Sequence, residues 1–144
     1  MAHQTMTEQE IQVLVQDCLI ANGCNAENAA ALGRTIAAAE RDGCASHGLF
    51  RLPGYIASLR SGKVNGKANP TVARISPSVI KVEGDHGYAP LALERGRQAL
   101  IEAAQETGIA AMALVNVHHF AALWAEVEPI AEAGCCAMAF TTYK

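Results

Sequence analysis

Neither GxGxxG nor GxxxxGK[ST] occurs anywhere in the sequence, so it carries no Rossmann fingerprint and no phosphate-cradling P-loop. Charge is sparse too: charged residues make up 17% of the chain, the formal net charge is −3, and Lys and Arg form no run. Such a surface has no general attraction for phosphate backbones or anionic lipid, which argues against nucleic-acid and membrane partners. No CxxC spacing occurs, and the cysteines (Cys18, Cys24, Cys44, Cys135, Cys136) are odd in number. They read as reduced thiols packed as small hydrophobes in the cytoplasm, and no metal site is expected. The start, MAHQTMTEQE, lacks the basic n-region and apolar h-region of a signal peptide. The longest uncharged stretch, 108–125, is nearly long enough to cross a membrane, but Asn116, His118 and His119 would be costly in hydrocarbon. A strand followed by a helix explains it better.

What is present speaks for a folded α/β (α+β) chain. Apolar residues are 51% of it, and apolar runs alternate with turn residues. Thr7 and Glu10 form a capping box, after which Ile11, Leu14, Val15, Cys18 and Leu19 keep helical spacing until Asn22-Gly23. A second helix is expected from about Asn25 to Asp42, with Ala29, Leu32, Ile36 and Ala37 inward and Gly43 as its end. Residues 46–62 have helical tendency but must kink or restart at Pro53. A polar loop over 62–70 leads to short strands at 72–75 and 79–83, a hairpin around Ser76-Pro77-Ser78. Gly84-Asp85-His86-Gly87 reads as a turn. Pro90 then opens a helix to about Thr107, with Leu93, Leu100, Ile101 and Ala104 inward and Gly108 as cap. A buried strand over 109–117, a helix over 120–133 disturbed by Pro129, and a final strand over 135–141 complete the pattern. We therefore expect a helical amino-terminal region (1–70) followed by a hairpin and strand–helix alternation (71–144).

Three groupings of residues are candidates for chemistry. If residues 46–51 are helical, His47 and Arg51 share a face and offer a proton donor beside a bidentate cation for a carboxylate. Ser46 can orient the imidazole only from a cap position or from the side. The plain alternative is an N-cap serine, a surface histidine and a solvated arginine. The second grouping, Asn116, His118, His119 and Phe120, lies at a strand-to-helix junction, where ligands of open α/β sheets bind. Because neighbours on a strand point to opposite sides, at most one of the two histidines faces a common pocket. The third, Gly84 to Gly87 with Tyr88, reads first as a tight turn. Trp124, with Leu123 and Val127, reads as core.

The runs ERDGCASHGLFRLPGYIASLRSGKVNG, VEGDHGYAP and NVHHFAALW together resemble the malate/L-lactate dehydrogenase family that lacks the Rossmann fold. This group includes malate, ureidoglycolate and sulfolactate dehydrogenases, diketogulonate reductase and the Δ1-piperideine-2-carboxylate/Δ1-pyrroline-2-carboxylate reductases. HFAALW is most similar to the last branch. The resemblance implies a non-Rossmann nicotinamide-dependent oxidoreductase fold, with the start of the cofactor-binding domain at 71–144. It implies His47 as proton donor, Ser46 as its relay partner and Arg51 as ligand of the substrate carboxylate. It further implies that His119, Phe120, Ala121, Ala122 and Leu123 touch the cofactor, NADPH or alternatively NADH. The implied substrate is a small cyclic imino acid or an oxo acid, and the implied assembly is a homodimer. Family members are much longer, and their remainder supplies an acidic relay partner and most cofactor contacts. The 144 residues alone are thus expected not to turn over substrate. A non-catalytic interaction module is the reading from a different class.

Overall fold

In the computed structural model, which describes residues 5–118 and 121–141, the chain divides into two compact units, Met1–Lys67 and Ala68–Lys144. The first is helical. Thr7 accepts from the Glu10 N–H at 3.2 Å while Glu10 accepts from the Thr7 N–H at 2.7 Å, so the expected capping box opens α1 (Glu8–Ile20). Those bonds hold the Glu10 carboxyl below its ordinary range. Asn25 caps α2 (Ala26–Arg41) through the Asn28 N–H at 3.0 Å. Ile11, Val15 and Leu19 of α1 and Ala29, Leu32, Ile36 and Ala37 of α2 are buried, and the two helices pack together. Each large side chain among them contributes about 1.5–3 kcal/mol by leaving water. Leu14, expected inward, is 41% exposed, because it lies at the border of a stripe centred on Ile11, Val15 and Leu19. The Asn25 N–H donates to the Gly66 carbonyl at 2.8 Å and Arg60 Nε to Asn22 Oδ1 at 2.7 Å, fastening the loop after α3 (Leu52–Arg60) to the α1–α2 turn. Buried Cys24 stays a thiol, its pKa pushed up to about 11 by desolvation.

The second unit is a three-stranded sheet with helices. The hairpin forms as expected: β1 (Thr71–Ser76) pairs antiparallel with β2 (Val79–Glu83), with an irregularity between Arg74 and Ser76. A crossover helix, α4 (Ala89–Thr107), then returns the chain to β3 (Ala111–Val115), parallel to β2, giving the order β1-β2-β3. Pro90 lies in the first turn of α4 and Gly108, at φ +82, caps it. The core gathers Ile80 and Val82 with Ala92 and Ala103, flanked by Leu100, Met112 and Leu114. Of the four residues expected inward on α4, Ile101 is buried and Leu100 packs on this core, whereas Leu93 and Ala104 are only half-buried. The line nearest the sheet is Ala92, Gly96 and Ala103, since close approach of helix to sheet selects small side chains.

A side chain at Gly96 would put its Cβ 2.6 Å from Val82 Cγ2 and against the Met112 sulfur. Replacing the glycine by valine gains the helix less than about 1 kcal/mol of propensity. Overpacking costs about 1–3 kcal/mol and wins for a branched residue. Gly96→Val is therefore expected to lower the urea midpoint without changing the slope; an unchanged or raised midpoint would contradict this packing.

Three expectations need correction. β3 is shorter than 109–117 and no more than half-buried, and Ile109 is 78% exposed, because among the described strands it is a sheet edge. Helix α5 (Trp124–Glu132) starts later than Phe120, keeps Pro129 inside it and buries none of its residues, so Trp124 is half-buried and not core. Residues 135–141 form no strand, and Met138 and Phe140 are 83% and 84% exposed. An apolar run becomes a strand only where another strand receives its backbone groups, and no described strand does so here. Among the described residues no helix is long and apolar enough to cross a membrane.

Candidate functional site

The loop after α2 carries the first candidate group. Gly43, at φ +71, turns the chain through a conformation that a side chain would strain, and the Cys44 N–H closes onto the Ala39 carbonyl at 2.8 Å. Two single 3₁₀ turns follow, Ala45–His47 and Leu49–Arg51, after which Pro53 occupies the first turn of α3. Pro53 thus marks a restart and not a kink within a helix. Gly48 separates the two turns with φ −87 and ψ −141, so the helical i,i+4 relation expected between His47 and Arg51 does not exist.

Ser46 makes the connection instead. Its Oγ lies 3.0 Å from His47 Nδ1, and its carbonyl accepts from Arg51 Nε at 2.7 Å. Ser46 and His47 lie in the same short turn, and their side chains meet directly. Ser46 is exposed and His47 and Arg51 are half-buried, so all three can be reached by a solute. The Arg51 guanidinium also lies 5.9 Å from the ring centre of Phe50, itself 75% exposed. Three further neighbours complete the group. Cys44 Sγ is 3.6 Å from His47 Nδ1 and 3.9 Å from Ser46 Oγ. Tyr55 is buried, and desolvation pushes its hydroxyl up to about 12 against the opposing charge of Arg51. Glu40 accepts from the Leu49 N–H at 2.6 Å. The Tyr in SHGxxRxPxY hinted at the second; nothing in the spacing hinted at the others.

The second candidate segment belongs to the other unit. Beyond β3 the chain stays fastened to the 84–89 turn: Gly84 N–H donates to Val115 O at 2.9 Å and His86 N–H to Asn116 O at 2.8 Å. His118 N–H then donates to Gly87 O at 2.7 Å, and Ala89 N–H to His118 O at 3.2 Å. Asp85 and His86 hold φ of +52 and +54, and a Cβ on Gly84 would lie 3.0 Å from the Asn116 carbonyl and inside the Val117 side chain. Gly84 therefore serves the close approach of this turn to the end of β3. The His118 ring meets Tyr88 edge-on, centroids 6.0 Å apart, and Asn116 Nδ2 donates to Glu83 at 2.7 Å. His119 and Phe120 lie outside the described residues. Ala122 is buried, while Ala121 and Leu123 are half-buried just ahead of α5. Among the described residues no three His, Cys, Asp or Glu side chains gather as a metal site.

An imidazole held by a hydroxyl, with a guanidinium braced on the same serine, is an acid–cation arrangement suited to a small carboxylate-bearing substrate. The chain belongs to the malate/L-lactate dehydrogenase family, whose model matches residues 6–144. A Δ1-pyrroline-2-carboxylate reductase of Ancylobacter novellus is 53% identical over 132 residues, covering 92% of this chain and 39% of that protein. The crystal structure of Δ1-piperideine-2-carboxylate reductase from Pseudomonas syringae superposes with a TM-score of 0.89 at 42% identity, over 92% of this chain and 40% of that one. A (2R)-3-sulfolactate dehydrogenase (NADP(+)) of Chromohalobacter salexigens is 43% identical over 133 residues, 92% of this chain and 40% of that protein. The chain thus spans about two fifths of the length of these relatives. The neighbours confirm the mixed α/β, non-Rossmann architecture expected from the sequence.

Proposed function

We propose that the chain supplies the proton donor and carboxylate anchor of an NAD(P)H-dependent reductase acting on small cyclic 2-imino acids such as Δ1-pyrroline-2-carboxylate and Δ1-piperideine-2-carboxylate. The observation that carries this reading is Ser46, which touches His47 Nδ1 through its hydroxyl and Arg51 through its carbonyl. With a proton on each ring nitrogen, His47 donates its Nδ1–H to Ser46 Oγ and offers its Nε2–H to the substrate nitrogen. Arg51 grips the carboxylate, which fixes the C=N bond relative to that proton. Reduction needs hydride at the carbon, a proton at the nitrogen and a cation on the carboxylate.

The small apolar surface of Ala121 and Leu123, set on buried Ala122, suits contact with a flat ring, so this segment, with His119 and Phe120, fits a place against the nicotinamide. When bound, the nicotinamide supplies the hydride. The second unit, on this reading, begins the cofactor-binding domain. NADPH is proposed over NADH on the name of the sulfolactate relative. A cytoplasmic homodimer completes the proposal; free thiols in place of disulfides suit that compartment.

The 43% identity to the sulfolactate dehydrogenase favours a second reading, a 2-hydroxy-acid dehydrogenase. A panel run in both directions on the full-length protein separates them, with cyclic imino acids set against malate, lactate, ureidoglycolate and sulfolactate. The expected result is a kcat/KM for the imino acids higher by at least about tenfold, a difference of about 1.4 kcal/mol in transition-state binding. Preference for a 2-hydroxy acid would sink the first reading. The 144 residues alone should show no turnover, and turnover by them would remove the need for the remaining domain.

A further inference from the structure

We propose that Glu40 is a positioning residue for the His47–Arg51 site, acting through Gly48 and Leu49, an inference that rests on the reading of that site given above. Glu40 stands in the last turn of α2. Its Oε1 accepts the Leu49 N–H at 2.6 Å. Leu49 opens the 3₁₀ turn that ends at Arg51, so the carboxylate caps that turn by taking up one of its otherwise unpaired donors. The same carboxylate lies directly over Gly48, where a Cβ would sit 2.5 Å from Glu40 Cδ and 2.9 Å from Cγ.

Gly48 separates the turn bearing His47 from the turn bearing Arg51. Its position therefore sets the offset between acid and cation. A short charge-assisted hydrogen bond on one side of it and a steric stop above it fix that position to a rigid helix. The glycine of SHG leaves room for Glu40: a Cβ there would force the Glu40 carboxylate to shift. Removing the acceptor frees the hinge, and misplacement of about 1 Å at reacting groups costs about a hundredfold in rate.

The test is kinetic, on the full-length protein with a cyclic imino acid. Glu40→Ala is expected to lower kcat/KM about a hundredfold, through the loss of positioning. Glu40→Gln keeps an oxygen acceptor for the Leu49 N–H and should stay within about fivefold of the parent, the difference between a charged and a neutral acceptor. Gly48→Ala should match Glu40→Ala, and the double variant should be no worse than either single one, because both act on one contact. His47→Ala is run alongside. If it retains turnover, the reading of the site fails. If His47→Ala is inactive while Glu40→Ala keeps parental kinetics, Glu40 has no positioning role. Equal damage from Gln and Ala, or simple additivity in the double variant, would likewise overturn the proposal.

Discussion

Replacing His47 by Ala in the full-length protein should cut imine turnover by about two to four orders of magnitude, the range of a lost general acid. KM should change little, because the substrate is held at its carboxylate end. Ser46→Ala should cost less, since it leaves the imidazole present but free to rotate about a lost 3.0 Å contact. Parental turnover in His47→Ala would strip the residue of its assigned role.

The second large effect belongs to Arg51. Truncating one partner of a hydrogen-bonded charge pair typically costs about 2–5 kcal/mol, which here is a loss in kcat/KM of about thirtyfold to a few thousandfold. The loss should fall mainly on KM in Arg51→Ala. Lysine should restore only part of it, because an ammonium has no fork with which to brace the Ser46 carbonyl and meet a carboxylate bidentately. A comparison with the same imine lacking its carboxylate sharpens the measurement. The parent should reject that analogue strongly, and Arg51→Ala should lose most of the discrimination. Equal discrimination by parent and variant would mean that the carboxylate is held elsewhere.

What the sequence makes legible here is local. The capping box at Thr7, the stops at Gly43 and Gly108 and the tight hairpin each depend on residues a few positions apart, and each forms. The family resemblance rests on the three runs around Ser46, Gly84 and His118, and the match over residues 6–144 supports it. The manner in which His47 and Arg51 are linked was not legible, because the break at Gly48 depends on a carboxylate arriving from another helix. Cys44 reads as a small hydrophobe for a similar reason: its approach to the imidazole exists only once Gly43 has reversed the chain. Residues 135–141 show the complementary failure. Their composition suits a strand, but strand formation depends on a neighbour that composition does not reveal.

The bonds that run from Gly84 to Ala89 on one side and from Val115 to His118 on the other work as a short zip fastener between two stretches remote in sequence. Whatever tilts the 84–87 corner is transmitted through this backbone pairing, and through the Tyr88–His118 ring contact, to the stretch from Val115 to His118. Under the proposed function, that corner is a remote handle on the segment that follows.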